Sequence, residues 1–193
     1  MDSRHTSATR EVASLESIVI IGSPAPHKNI KLILEMADRV AAVGLRIAVA
    51  GSADARVYNI GDGSAVASNI LWLGRLSDEE LAALMRDSLC LAFPSLTEGF
   101  GLPALEAMVL GCPAEVSNVT SLPEICGDAV LYASPTNPRA WFDQILRLRN
   151  EEALRAELIR KARARTTQFS WRASAELYLR AMAKIDGVNF YEY

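Results

Sequence analysis

Pro94-Ser95-Leu96-Thr97-Glu98-Gly99-Phe100-Gly101-Leu102-Pro103-Ala104-Leu105-Glu106-Ala107-Met108 follows the unbroken apolar segment Leu89-Cys90-Leu91-Ala92-Phe93. A short apolar run with turn residues after it reads as a strand buried on both faces. Gly101-Leu102-Pro103 opens a helix, with proline in the first turn where its missing N–H is no loss, and Gly111 ends it. Strand, glycine-bearing loop and helix start leave several unpaired backbone N–H groups beside the positive end of a helix dipole. This is the pattern of an anion site. Leu102, Leu105, Met108 and Val109 are expected to face the sheet, which leaves Glu106 on the flank of the helix near its start.

Glu98 and Glu106, seven residues apart in the interval, flank that site. Carboxylates disfavour bare phosphate but accept hydrogen bonds from hydroxyls, so amides for phosphate with acids for hydroxyls suit a ligand carrying both. A nucleotide sugar is such a ligand.

Outward from this stretch, strands and helices alternate. Ile18-Val19-Ile20-Ile21-Gly22, Leu45 to Gly51, Asn69 to Gly74, Ala114 to Ser117 and Asp128 to Tyr132 read as further strands. Ile30, Ile33, Leu34, Ala37, Val40 and Ala41 recur at helical spacing, with Gly44 closing that helix. Ser77-Asp78-Glu79-Glu80 and Ser121-Leu122-Pro123-Glu124 read as capping boxes. Only helices follow, beginning at Asn137-Pro138, near residue 151 and at Ser170-Trp171. The class is α/β, a Rossmann-like parallel sheet with helices on both faces, whose ligands bind at the carboxyl ends of the strands. Gly22, Gly51, Gly74 and Pro94 each end a strand there. Lys28, at the start of the first helix, is placed to neutralise a diphosphate.

The 193 residues, half of them hydrophobic, suffice for one well-buried domain, read as 18–184 between tails at 1–17 and 185–193. The segment from Ser52 to Ser68 is polar and ambiguous. A net charge of -3 without a broad basic face argues against a nucleic-acid partner. The arginines between residues 147 and 165 allow membrane contact but do not indicate it, since no aromatic anchors gather with them. Cys90, Cys112 and Cys126 lack metal-ligand spacing and read as buried reduced thiols, which fits a cytoplasmic protein. No carboxylate cluster of metal-ligand type appears, so neither a metal nor another cofactor is expected.

Glu-Gly-Phe-Gly-Leu-Pro-Ala-Leu-Glu-Ala-Met, from Glu98 to Met108, resembles the signature of the retaining glycosyltransferases with the GT-B fold, of the group 1 or family 4 type. The resemblance implies that Glu98 faces the transferred sugar, the amides of Gly99, Phe100, Gly101 and Leu102 meet the diphosphate, and Glu106 holds the ribose hydroxyls. The family carries a basic pair in the loop after the first strand. Lys28 matches its second member, while Ser23, just after Gly22, stands where an arginine is usual. The turn of Gly74 and Arg75 corresponds to a stretch that reads the base, and Glu124 recurs near the donor pocket. Glu115 stands where the family usually has an apolar residue. Glu98 and Lys28 are thus the catalytic candidates, with Gly22, Ser23, Lys28, Gly74, Arg75, Gly99, Phe100, Gly101, Leu102 and Glu106 as donor-binding candidates.

The resemblance covers nearly all of the chain but one half of such an enzyme, and implies a missing N-terminal acceptor domain or partner subunit. The His27-Lys28-Asn29 loop resembles bacterial mannosyltransferases, which makes GDP-mannose the first donor to consider and a UDP-sugar the next. A non-catalytic subunit of the same fold is the alternative, and a sugar-nucleotide epimerase-like domain the third reading.

Overall fold

The computed structural model describes residues 16–23, 25–52 and 69–187. Most of the N-terminal tail, nearly all of the polar segment from Ser52 to Ser68, and the end of the C-terminal tail lie outside them. Among the described residues one sheet carries six parallel strands: β1 (Ser17–Gly22), β2 (Arg46–Gly51), β3 (Ile70–Gly74), β4 (Cys90–Phe93), β5 (Ala114–Ser117) and β6 (Leu131–Ala133). Their order is β3-β2-β1-β4-β5-β6, so the order reverses between β1 and β4. In an open α/β sheet, that reversal leaves a crevice beyond the strand ends where ligands bind.

Alternation along the strands divides the core into two layers. Ile18 and Ile20 pack with Ile47, Val49, Cys90, Ala92, Trp141 and Ile145 on one face. Val19 packs with Ala48, Leu91, Phe93, Ala104, Met108 and Val116 on the other. Both faces of β1 and β4 are therefore buried, as their unbroken apolar runs require.

The helices are α1 (Lys31–Leu34), α2 (Ala37–Ala42), α3 (Asp78–Asp87), α4 (Leu102–Leu110), α5 (Leu122–Cys126), α6 (Pro138–Asn150), α7 (Glu152–Thr166) and α8 (Trp171–Asp186). The single helix expected after β1 is two short pieces, although Ile30, Ile33, Leu34, Ala37 and Val40 are all buried as its spacing requires. The box at Ser77 forms, with Glu80 N donating to Ser77 Oγ and Ser77 N donating to Glu80 Oε2. The box at Ser121 does not form. Ser121 has helical backbone angles and no side-chain cap, and its hydroxyl donates to the carbonyl of Glu98 instead. Glu124 therefore has no capping role, since a cap needs its serine in extended backbone. Of the last expected strand only Leu131 and Tyr132 pair with β5, and the strand extends one residue further, to Ala133.

The arginines of α6 and α7 largely serve the fold. Arg155 donates to the carbonyls of Leu148 and Arg149 at the end of α6, and Arg165 donates to those of Glu124 and Ile125 at the end of α5. Guanidinium groups satisfy the carbonyls that helix ends leave free. Arg160 and Lys161 pair with Glu157, and Lys161 also reaches Asp128. Among the described residues no helix is long and apolar enough to cross a membrane.

Burial pushes the thiols of Cys90 and Cys112 up, that of Cys112 to about 12, and all three cysteines are free and buried. Thiols so far from ionisation are packing groups.

Candidate functional site

The crevice between β1 and β4 is closed by two loops with complementary charges. After β1 the chain makes a 3-10 turn, Pro26–Lys28, and Asn29 ends it in the left-handed region at φ 51°. The turn presents Lys28. After β4, Pro94 and Ser95 are buried and Glu98 stands near the helix start. Lys28 Nζ lies 2.7 Å from Glu98 Oε1, with side chains 25% and 11% exposed. The same ammonium sits 5.5 Å from the centre of the Phe93 ring, so its stem is held over an apolar floor.

Backbone bonds weld these loops. Leu96 N donates to His27 O at 2.7 Å, and the side-chain amide of Asn29 donates to Pro94 O at 3.0 Å and to Pro135 O at 2.9 Å. The peptide around Glu98 is gripped from the loop after β5: Glu98 N donates to Thr120 Oγ1 at 3.1 Å, and Ser121 Oγ donates to Glu98 O at 3.0 Å. Thr120 holds φ 54°, a region that costs a β-branched residue of order 1–3 kcal/mol and persists only where the surroundings impose it.

Two glycines let the strands and helix approach this closely. A Cβ on Gly51, at φ 123°, would lie 2.2 Å from the carbonyl oxygen of Gly22, so the ends of β1 and β2 meet backbone to backbone. One on Gly101, at φ 93°, would lie 2.5 Å from Cδ2 of buried Leu122, so α4 can start against α5 only with glycine there.

The face that α4 buries differs from the sequence expectation. Ala104, Ala107 and Met108 are packed against the sheet, whereas Leu102 and Val109 are exposed. The small alanines bring the helix close, and the exposed stripe runs Leu102, Glu106, Val109 at helical spacing. Glu106 thus stands on the open side of α4, off the sheet as expected. Partial burial first, and Asp78 at the start of α3 second, raise its carboxyl above the usual range.

The candidate residues separate into three groups. Lys28 and Glu98 are in direct contact, with Gly99 and Phe100 exposed beside them and Gly101 buried at the start of α4. Phe100 meets Phe169 edge to face at 5.8 Å. Gly22 ends β1 and Ser23 follows it on the loop that leads to Lys28, where Ser23 Oγ accepts from Ala25 N at 3.3 Å. Gly74 and Arg75 are exposed at the end of the edge strand β3, and among the described residues Arg75 forms no ion pair. The sequence gives Asn29, Thr120 and Ser121 no place among the site candidates, because their partners lie 22 to 106 residues away. Their one local signal is the polar, turn-forming character of Lys28-Asn29 and Thr120-Ser121.

The strand, loop and helix start at the switch point, with a cation and two acids around them, also have relatives. A family model described as "Glycosyl transferases group 1" matches residues 7–165. The chain belongs to the group 1 glycosyl transferases. The O-antigen chain mannosyltransferase B of Escherichia coli is 35% identical over 157 residues, which span 78% of this chain and 41% of that protein. Solved structures share the fold, two of them as follows. Anabaena HepE in complex with UDP and glucose aligns with a TM-score of 0.78 at 17% identity, covering 95% of this chain and 53% of HepE. Sucrose-phosphate synthase from Thermosynechococcus elongatus aligns at 0.73 and 23%, covering 94% and 49%. This group 1 glycosyl transferase chain therefore spans about half, or less, of the proteins it matches, and its sheet is one Rossmann-like half of a GT-B fold.

Proposed function

We propose that the chain is the donor-binding half of a glycosyltransferase that moves a hexose from a nucleoside diphosphate sugar to an acceptor hydroxyl with retention. The observation that carries this reading is the Lys28–Glu98 pair at the β1/β4 switch point, beside the free amides that open α4. As the sugar leaves its phosphate oxygen, negative charge grows on the diphosphate, and the Lys28 ammonium and the amides of Gly99 to Leu102 meet it. Fixed donors aimed at developing charge are the largest single source of rate enhancement in such sites. Among the described residues no group of three or more His, Cys, Asp and Glu is arranged to hold a metal ion. Charge neutralisation is assigned here to Lys28 and the amides.

Mannose carried on guanosine diphosphate is the first donor to test, since the E. coli relative is named a mannosyltransferase. Calorimetric titration with GDP, GDP-mannose, UDP and UDP-glucose is expected to show binding by at least one of them. No binding of any at millimolar concentration would sink the donor-site assignment.

Glu106 is the group proposed to hold the ribose. A carboxylate on the open side of α4 can accept from two adjacent hydroxyls, each charge-assisted bond being worth roughly 1.5 to 3 kcal/mol before desolvation losses. Glu106→Gln is therefore expected to weaken a ribonucleoside diphosphate about tenfold or more and to leave its 2′,3′-dideoxy analogue nearly unchanged. Equal losses for the two ligands, read by the same calorimetry, would remove Glu106 from the site.

The acceptor half is proposed to be a second domain or subunit that docks on α8. Trp171, Leu177, Tyr178, Leu179, Met182 and Ile185 of that helix are exposed, Trp171 and Ile185 at 83% and 84%, and Ala183 is its one buried residue. A 16-residue helix with so little packing needs a partner, and the matched proteins carry about as much chain again. The cytoplasm is the compartment where nucleotide sugars of this kind would be met, and it is proposed on that ground alone.

A non-catalytic subunit is the second reading. It is favoured by Ser23, which offers a short hydroxyl where a second cation would face the diphosphate. Turnover with the acceptor half supplied decides between them: an enzyme loses it in Glu98→Ala, whereas a scaffold is indifferent.

A further inference from the structure

Asn29 stands out among residues with no assigned part in the donor site. It is partly buried and is one of two non-glycine residues held at positive φ among those described; the other is Thr120. Its side-chain amide spends both hydrogens on carbonyls of loops distant in sequence, Pro94 O after β4 and Pro135 O after β6. Both acceptors belong to proline residues beyond the strand ends, where no ladder partner is at hand. A buried carbonyl without a donor is costly, so the two bonds satisfy groups that the loops themselves cannot. Oxygen and nitrogen of an asparagine amide are told apart by their partners, and two carbonyls can only face the NH2 side.

The position of these bonds matters more than their number. Asn29 adjoins Lys28, and Pro94 lies four residues before Glu98, so one amide ties the backbone that carries the cation to the backbone that carries the carboxylate. The Leu96 N to His27 O bond closes the other side of the same junction. The left-handed turn at Asn29 aims the preceding residue into the crevice while the chain continues into buried Ile30 and α1. We propose that Asn29 is a positioning residue: its side-chain amide sets the spacing of Lys28 from Glu98, and thereby the affinity for the diphosphate. The second part rests on the donor-site reading above, whereas the first does not.

Two substitutions separate backbone from side chain. Asn29→Gly tolerates the left-handed conformation and deletes both bonds, and Asn29→Asp keeps the shape but sets a carboxylate against two carbonyl oxygens. In ligand-free protein, acylation of lysines by an N-hydroxysuccinimide ester, followed by peptide mass spectrometry, reports the freedom of Lys28, with exposed Lys31 as internal reference. Lys28 is expected to react about fivefold faster in both variants while Lys31 is unchanged, as loss of a bond worth about 1 kcal/mol would give. An unchanged Lys28 rate in Asn29→Gly overturns the proposal.

GDP affinity is then expected to fall about tenfold in both variants, more in Asn29→Asp. Faster labelling with unchanged GDP affinity would overturn the link from spacing to diphosphate binding. A lowered melting temperature with normal labelling and normal affinity would make Asn29 a staple of the fold alone, which also overturns the proposal. If the unsubstituted chain binds no nucleoside diphosphate, the donor-site reading fails, and the labelling rates still decide whether Asn29 sets the pair.

Discussion

Glu115→Val is expected to stabilise the fold by about 2–4 kcal/mol at pH 7, with a gain that grows as the pH rises. Glu115 is in the middle of β5, in register with Ala92 of β4 and Leu131 of β6, and is 0% exposed. Its neighbours in the strand, Ala114 and Val116, face one layer of the core, so its side chain enters the other, toward Ala92, Trp141 and Ile145. Neither carboxyl oxygen has a hydrogen-bond partner among the described residues. The titratable group facing it is the Cys90 thiol, itself raised by burial, and no described cation pairs with it.

Desolvation therefore holds the Glu115 carboxyl well above the carboxylate range and favours its neutral form in the folded protein. The unfolded chain releases that proton above about pH 4.3, so above this value the unfolded state binds fewer protons than the folded one. Stability consequently falls with rising pH from there up to the raised folded value, by about tenfold in the folding equilibrium per pH unit for this one group. Valine is close in volume, suits a strand and removes both the buried polar group and the slope. Urea unfolding at pH 5, 6, 7 and 8 should show curves for the variant and the unsubstituted chain that diverge upward in pH. Parallel curves would mean that Glu115 is ionised and partnered in the native state.

Glu115 also marks where the sequence was readable and where it was not. Its residue type broke the apolar pattern of a short strand, yet the strand forms, because Val116 and the ladder to β4 and β6 outweigh one misplaced acid. Periodicity locates six strands and the reversal between β1 and β4 follows from their pairing, so the edge of the sheet that carries the candidate site is legible in outline. Helix faces were less so. Leu102 and Val109 look like the buried side of α4 because they are large, but the helix buries Ala104 and Ala107 beside Met108, and size alone does not say which stripe fits. Ser121 looked like a cap by spacing, but its hydroxyl is taken by the Glu98 carbonyl, a partner 23 residues away. Interactions across the switch point cannot be read locally. Lys28 is named from the loop after the first strand and Glu98 from the motif, one for the diphosphate and one for the sugar, and the sequence holds no sign that they touch.

On the proposed function, that contact is expected to give the two residues opposite effects on ligand affinity. In the free chain Lys28 is neutralised by Glu98 at 2.7 Å, so an arriving diphosphate has to share the ammonium with a carboxylate of its own sign. Lys28→Ala removes the cation and leaves Glu98 facing the diphosphate. GDP is then expected to bind about 30- to 100-fold more weakly, and guanosine, which carries no phosphate, to bind as before. Glu98→Gln keeps a hydrogen-bonding group of the same shape, removes the like charge and frees Lys28, so GDP should bind about three- to tenfold more tightly. With the acceptor half supplied, both variants are nevertheless expected to lose turnover by about 100-fold or more: Lys28→Ala for want of charge on the leaving diphosphate, Glu98→Gln for want of the carboxylate beside the transferred sugar. A variant that binds the product nucleotide better and turns over worse has lost an interaction made with the sugar and not with the diphosphate. Weaker GDP binding in Glu98→Gln would instead show that the carboxylate serves chiefly to hold Lys28 in place, and that the sugar is met by another group.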